Sequence, residues 1–364
     1  MVKRRSKGEG SIFFSETENC WIAQITLPDG SRKRKRSKRQ QVVKDWLLDV
    51  RKSIQTGVFI KADQITVNQH LDRYYSDVML HTLRPKTLAA YESLIRVHIK
   101  PALGSIKLSQ LRPDHIQSFY SSKLNSGLSN RTVHFIHSIL HKALKQAVKW
   151  GLMVRNPVDL VEPPAVKRKP PVTWTVEQAR EFLNLVKDHR FYPIYVLAMA
   201  TGMREGELLG LYFEDVNFET GTIHVQRAVQ NVPGRGTFLS EPKTKKAKRA
   251  IPLPEYALRI LKEHCDRQNR NQGFIFTTRN GTPFSPRNLV RHFKEVVRSS
   301  DLPEIRFHDL RHYHATYLLS QNIHPSIVQQ RLGHSSVLLT LDTYSHVLPS
   351  MQDEAARKTN EMFK

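Results

Sequence analysis

The chain has 364 residues, 39% of them hydrophobic, which is enough to form a core in each of two or three domains. Lys and Arg number 57 against 33 Asp and Glu, and the formal net charge of +24 indicates a polyanionic partner, with nucleic acid as the first candidate. The two cysteines match no metal or disulfide spacing, and no stretch resembles a signal sequence or a membrane span. We therefore expect a cytoplasmic protein that does not contact membranes.

Residues 1–62 are predicted to form a small three-stranded sheet followed by a helix. Strand-like runs in SIFFSETENCWIAQITLPDG end at Asp29-Gly30, a hairpin signal, and QVVKDWLLDVRKSI has the apolar spacing of a helix. Between them lies RKRKRSKR, residues 32–39, which is basic at every position except Ser37. Such a strand can follow a phosphate backbone or enter a groove; a solvated face is the alternative. The candidate DNA-contacting residues are Arg32, Arg34, Lys35, Arg36 and Lys38.

Residues 63–162 are predicted to form a bundle of helices with short loops. Pro85 and Pro113 suit the first positions of two helices, and Ser129 or Asn130 can cap a third. That third helix, the last of the bundle, carries histidines on one face at metal-like spacing, but no fourth ligand is evident, so we expect a packed or DNA-facing helix instead. These histidines are His134, His137 and His141.

A proline-rich and basic linker is predicted at residues 163–172, within EPPAVKRKPPV, and it separates two basic domains. Residues 173–349 mix helices with the strand-like runs GTIHVQRAV and RAIPL. Residues 350–364 indicate a short polar helical tail, a candidate for docking in trans on a neighbouring subunit. The predicted fold class is thus multidomain α+β: a small sheet plus helix, a helical bundle, and a mixed, mainly α domain with a small sheet.

Several polar residues of the third domain could carry chemistry. Arg204, in ATGMREGELLGL, follows a glycine-containing turn near the start of a helix, where the helix dipole disfavours a cation. That position indicates either a bound anion or pairing with Glu205 or Glu207, and the two readings are equally good. In FHDLRHYHATYLL, His308 and Arg311 share one helix face, and the spacing does not match a zinc-protease helix.

Tyr344, in TLDTYSHV, raises the question of a phosphodiester nucleophile. A phenol has a pKa near about 10, so it needs a base or a positive field, and the transition state needs several donors on its equatorial oxygens. Two arginines and a histidine would supply those donors. Lys243, in PKTKKAKRAIPL, or a histidine could protonate the departing sugar oxygen. No metal is required by this scheme.

The combined motifs resemble the tyrosine recombinase, or phage integrase, family. The residues that carry the resemblance, in the family's order and approximate spacing, are Arg204, Lys243, His308, Arg311, His334 (in LGHSS) and Tyr344. The resemblance extends over nearly the whole chain and is strongest over residues 173–348. It implies that residues 1–62 are an arm-binding domain, residues 63–162 a core-binding domain, and residues 173–349 the catalytic domain.

The resemblance also implies a role for each residue. Tyr344 forms a 3′-phosphotyrosine link and releases a 5′-hydroxyl. Arg204 and Arg311 hold the non-bridging oxygens, while His308 and His334 assist with hydrogen bonding and proton transfer. Lys243 protonates the leaving 5′ oxygen, although Lys245, Lys246 and Lys248 are close enough in sequence to take that role.

The function predicted from the sequence is a site-specific DNA recombinase that integrates and excises a mobile element without metal or other cofactor. Its expected partners are double-stranded DNA at core and arm attachment sites, three further copies in a tetramer on DNA, and accessory DNA-bending or directionality factors. A bacterial cytoplasm, at the nucleoid, is the expected location. A DNA-binding regulator without catalysis, and a metal-dependent nuclease or transposase, are the alternatives; the six candidate residues argue against the first, and the lack of a carboxylate cluster argues against the second.

Overall fold

The structure is a computed structural model. It describes residues 9–27, 30, 32–55, 65–166, 172–232, 234, 236–240, 248–268, 270–333, 336–337, 356–357, 359–361 and 363. The predictions for Asp29, Lys243, His334 and Tyr344, and most of those for the tail, lie outside the described residues. The chain divides into two compact units, residues 1–167 and 168–364. Among the described helices, none has both the length and the apolar character needed to cross a bilayer.

The N-terminal part of the first unit is a sheet covered by one helix, as predicted. Antiparallel strands β1 (Ser11–Ser15), β2 (Cys20–Thr26) and β3 (Arg32–Ser37) lie in the order β1-β2-β3, and α1 (Gln40–Gln55) follows. The core of this module joins Ala23 and Ile25 of β2 to Val43 and Leu47 of α1. Because side chains alternate across a strand, α1 covers the face that carries Ala23 and Ile25 and leaves the opposite, open face uncovered, although Ile22 on that face is itself buried (2% exposed).

The predicted helical bundle follows, and two of its helices include a π-helical segment. The elements are α2 (Val67–Tyr74), a π segment (Tyr75–Met79), α3 (Leu80–Thr82), α4 (Pro85–Leu94), a π segment (Ile95–Ile99), α5 (Lys100–Leu103), α6 (Pro113–Asn125) and α7 (Asn130–Lys149). Pro85 and Pro113 occupy first positions, and the Ser129 hydroxyl caps α7 by accepting from the Thr132 N–H at 3.2 Å. These starts agree with the sequence prediction.

Two of the three histidines on one face of α7 have polar partners on neighbouring segments. His137 Nδ1 lies 3.1 Å from the Tyr120 hydroxyl, and His141 Nε2 lies 2.9 Å from Asp159 Oδ1. Neighbouring rings of the three histidines are 6.2 Å apart. Within the described residues, no group of His, Cys, Asp or Glu is arranged to hold a metal ion. His137 and His141 thus make the contacts of a packed helix, whereas His134 is exposed, and the DNA-facing alternative stays a prediction.

The second unit is mixed, as predicted, with helices surrounding short strands. Its elements are α8 (Val176–Leu185), α9 (Tyr192–Thr201), α10 (Glu205–Leu209), β4 (Val216–Asn217), β5 (Thr222–Val225), β6 (Ala228–Val232), β7 (Gly236–Ser240), β8 (Arg249–Pro252), α11 (Glu255–Asp266), α12 (Pro286–Arg298), α13 (Asp309–Ser320) and α14 (Pro325–Leu332). Helix α9 is buried over nearly its whole circumference, since apolar residues occupy all its faces. It therefore forms the centre on which α10, α11 and α13 pack.

The strands form one small sheet and a separate hairpin. Strands β4, β5 and β8 pair antiparallel in that order, whereas β6 and β7, among the described strands, pair with each other and with no other strand. The run GTIHVQRAV is therefore split between the two, at Gln226 and Arg227. Arg227 leaves the strand path to pair with the buried Asp215 at 2.7 Å, its guanidinium lying 4.2 Å from the Tyr212 ring centre.

Candidate active site

Arg204 is positioned by the sharp turn between α9 and α10. Gly202 ends α9 in the left-handed conformation (φ 64°), and Arg204 becomes the N-cap of α10. Its Nη1 donates to Glu207 Oε1 at 2.7 Å, and its backbone N–H donates to Glu207 Oε2 at 3.0 Å. The carboxylate offsets the unfavourable helix dipole. The pairing alternative is thus correct for Glu207, yet 41% of the Arg204 side chain stays exposed and can meet an anion.

Glu207 is a buried carboxylate shared by two arginines. Only 4% of its side chain is exposed, and Arg249 of β8 donates to it from Nη2 at 2.9 Å and from Nη1 at 3.3 Å. Burial by itself raises the pKa of Glu207, but the Arg249 charge and hydrogen bond, together with Arg204, outweigh burial and lower the pKa. Glu207 is therefore ionised and anchors both cations.

Arg311 is buried, 3% exposed, beneath the same turn. Its Nη1 donates to the Gly202 carbonyl and its Nη2 to the Leu332 carbonyl, both at 2.7 Å. These carbonyls lie at the C-terminal ends of α9 and α14, where helices leave acceptors unpaired and the dipole favours a cation. The carbonyl groups at two helix ends therefore stabilise the buried positive charge of Arg311.

His308 lies at the N-terminal end of α13, three residues before Arg311. His308 is exposed as a whole residue, but nearby protein atoms desolvate its ring. This desolvation, followed by the charges of His312 and Arg311, lowers the pKa of His308 to about 4. Arg204 also contributes to the lowering. His308, Arg311 and Arg204 thus share one electrostatic environment although Arg204 comes from a different segment.

The remaining candidates lie outside the described residues, but the segments next to them are described. Lys243 belongs to the connection between β7, which ends at Ser240, and β8, which begins at Arg249. Of its three competitors, Lys248 is described, and it is exposed. His334 follows Gly333, the left-handed C-cap of α14 (φ 66°).

Three basic residues of this site are not among those that the sequence motifs identify: Arg249, His314 and Arg331. Arg249 lies in the strand-like run RAIPL, and neither His314 nor Arg331 has a sequence feature that marks it as part of the site. His314 is 4% exposed, its Nδ1 lies 2.9 Å from the Met199 carbonyl, and burial lowers its pKa to about 4. Arg331 donates from Nη2 to the Ala200 and Pro252 carbonyls. No sequence signal identifies these partners, since each is distant along the chain.

The predicted DNA-contacting residues of β3 are exposed: Arg32, Arg34, Lys35, Arg36 and, just beyond the strand, Lys38. Strand register divides them between two faces. Lys35 is opposite Ala23, whose side chain faces α1, whereas Arg34 and Arg36 are opposite Gln24 and Ile22 on the open face. Only the arginines therefore share the face that α1 leaves uncovered.

Two family models match the chain. One, described as the phage integrase family, matches residues 174–351, and the other, described as the phage integrase N-terminal SAM-like domain, matches residues 66–124. Together they include all the candidate catalytic residues and the larger part of the helical bundle.

Individual proteins resemble the chain over most of its length. A tyrosine recombinase XerC-like protein of Caldanaerobacter subterraneus subsp. tengcongensis is 28% identical over 342 residues, covering 85% of this chain and 86% of that protein. The Tn1549 transposon integrase, solved with transposon right end DNA, has a TM-score of 0.70 at 24% identity and covers 80% of this chain and 99% of that one. A lambda integrase tetramer bound to a Holliday junction has a TM-score of 0.60 at 17% identity, covering 92% and 97%.

Proposed function

The chain belongs to the phage integrase family of tyrosine recombinases, and from that membership we propose how its own residues cleave and rejoin DNA. It is an enzyme of site-specific recombination that acts on a mobile element. The proposed catalytic set is Arg204, Lys243, His308, Arg311, His334 and Tyr344. The observation that most supports this set is that two separate segments meet: Arg311, which shares α13 with His308, donates to the Gly202 carbonyl in the turn that carries Arg204.

Tyr344 is the nucleophile of this proposal. Its phenolic oxygen attacks the scissile phosphorus, the bond to the 5′ oxygen breaks, and a 3′-phosphotyrosine forms. Lys243 gives its proton to the departing 5′ oxygen, which leaves as a hydroxyl. One phosphodiester replaces another of similar energy, so rejoining is the same exchange in reverse and needs no nucleotide.

The two arginines stabilise the charge that develops on the non-bridging oxygens. Arg311 is held by two carbonyls at 2.7 Å, and Arg204 is held by Glu207 with a large part of its side chain still exposed. Both cations are therefore oriented before DNA binds, which is the condition for electrostatic preorganisation. Removing one such donor typically costs about 100-fold in rate.

His308 and His334 handle protons near the phosphate. The pKa of His308 is lowered to about 4, so its ring is neutral at pH 7 and can accept the proton of the Tyr344 phenol. A bound phosphate would favour the protonated ring and so help that transfer.

The N-terminal sheet is the proposed contact for arm sites, through Arg32, Arg34 and Arg36 of its open face, with Lys35 on the other face and Lys38 just beyond the strand as further contacts. The bundle, proposed as residues 63–162, would hold the core site, and residues 163–172 the link to the catalytic domain at 173–349. Lambda integrase forms a tetramer on a Holliday junction. By analogy, four copies of this chain act on two duplexes at the bacterial nucleoid, with tails 350–364 docking in trans and accessory factors bending the DNA.

The test is covalent trapping on the element's own ends, located by sequencing the DNA that flanks the gene. A labelled duplex with a nick beside the cleavage site should give a complex of wild-type chain and DNA that survives denaturing electrophoresis. Tyr344→Phe should bind the duplex with wild-type affinity and form no such complex, because only the nucleophilic oxygen is lost. A covalent complex with Tyr344→Phe would refute the assignment, and loss of cleavage in EDTA would favour a metal-dependent nuclease.

A further inference from the structure

We propose that Arg249 is a positioning residue that holds Arg204 and the end of α14 in one geometry for the reaction. The proposal rests on the proposed function, since it assumes that Arg204 and the segment after α14 act on the same phosphate. Arg249 is not one of the six residues of the family resemblance.

Arg249 connects two separate parts of the site. Its Nη2 and Nη1 donate to Glu207 at 2.9 and 3.3 Å, and its Nε donates to the Arg331 carbonyl at 2.6 Å. The side chain is 6% exposed and Glu207 is 4% exposed, so water screens this ion pair very little. A buried guanidinium with these partners holds the neighbouring groups in place and does not itself contact the substrate.

The end of α14 is held by two guanidinium groups. Arg249 donates a hydrogen bond to the Arg331 carbonyl, and Arg311 donates one to the next carbonyl, that of Leu332. Gly333 then packs against Arg249: a Cβ at Gly333 would be 3.1 Å from both Cδ and Nη1 of that arginine. His334 is the next residue in the sequence, so Arg249 fixes the position of the residue that precedes it.

Arg249 affects Arg204 through Glu207, the carboxylate that both arginines contact. Arg249 contacts both carboxylate oxygens, while Arg204 Nη1 contacts Oε1 alone at 2.7 Å. Without Arg249, a buried carboxylate would have Arg204 as its main counter-charge, and Arg204 would be drawn toward Glu207 and away from the phosphate. A displacement of this kind lowers the rate without abolishing DNA binding.

The experiment compares Arg249→Gln and Arg249→Lys with a matched control, Arg227→Gln. Arg227 also pairs with a buried carboxylate, Asp215 (1% exposed), at 2.7 Å, and its other ion pair within the described residues is with Glu214 at 3.4 Å, not with Glu207. Cleavage rate, duplex affinity and melting temperature are measured for each full-length variant. We expect Arg249→Gln to cleave about 10- to 100-fold more slowly at nearly unchanged affinity, with a smaller loss for Arg249→Lys. Arg227→Gln should lose melting temperature but not rate.

A second substrate separates positioning from general destabilisation. A methylphosphonate at the scissile position replaces one charged non-bridging oxygen by methyl and so reduces the need for the Arg204 cation. The loss caused by Arg249→Gln should shrink at least tenfold on this substrate, as should that caused by Arg204→Gln. Equal losses on both substrates, or equal rates for the Arg249 and Arg227 variants, would overturn the proposal. If Arg249→Gln fails to fold, Arg249→Lys decides by the same comparison.

The wild-type chain and Tyr344→Phe are run in parallel. If the wild-type chain forms no covalent complex, the proposed function fails. If it does and Tyr344→Phe does not, the proposed function stands, and the Arg249 result is judged by itself.

Discussion

Replacing Arg34 and Arg36 by glutamine should make binding to duplex DNA less sensitive to salt. Both arginines are exposed on β3, opposite Ile22 and Gln24, on the sheet face that α1 leaves open. A guanidinium that neutralises a phosphate releases a condensed counterion, and this release produces the salt dependence of the binding constant. Losing the contact therefore flattens that dependence.

The size of the effect follows from the number of contacts. If each arginine neutralises one phosphate, the slope of log K against log salt becomes shallower by about 1.8 for the double variant. Between about 50 and 200 mM salt, the wild-type chain should therefore lose about 12-fold more affinity than the variant does.

The assay is fluorescence anisotropy of a labelled duplex of arbitrary sequence, titrated with the full-length chain at several salt concentrations. The control is Lys44→Gln with Lys52→Gln, which removes the same charge from exposed positions on α1, on the opposite face of the sheet. The control slope should change by much less than that of the arginine variant. An unchanged slope in the arginine variant, or an equal change in both variants, would refute the open face as the contact surface.

Three further predictions concern the second unit and the tail. The pKa of the buried His314 lies near 4 instead of 6.5, so acidification from pH 6.5 to 4 should cost up to about 3 kcal/mol of unfolding free energy, and urea melts of His314→Asn should lack that loss. Gly202→Ala puts a Cβ 2.7 Å from Leu332 Cδ2 in a left-handed position and should lower both the melting temperature and the cleavage rate; unchanged values would contradict the Arg311 geometry. Deleting residues 350–364 should impair synapsis more than single-site binding, as gel shifts would reveal, and normal synapsis would exclude docking in trans.

Local rules account for much of what sequence reasoning predicted. The helix starts at Pro85, Pro113 and Ser129 depend on the residue itself and its nearest neighbours, so they could be predicted from the sequence. The basic strand β3 was equally predictable, since it directly follows the Asp29-Gly30 hairpin signal and its charge lies in one short segment. The sequence could not predict how the side chains of β3 divide between the two faces of the sheet, because that division depends on the register with β2.

The active site divides in the same way. His308 and Arg311 could be identified as candidates because both lie in one motif, and Arg204 because its motif is equally local; their catalytic roles stay a proposal. The contacts that hold these residues in place could not be predicted. Arg249 contacts Glu207 across 42 residues of sequence, and Arg311 contacts Gly202 across 109. The sequence by itself thus determined which groups can do chemistry, since that is a property of the side chains. Only the tertiary structure decided which buried carboxylate and which helix ends hold them, because those partners are brought together by packing around α9 and not by proximity along the chain.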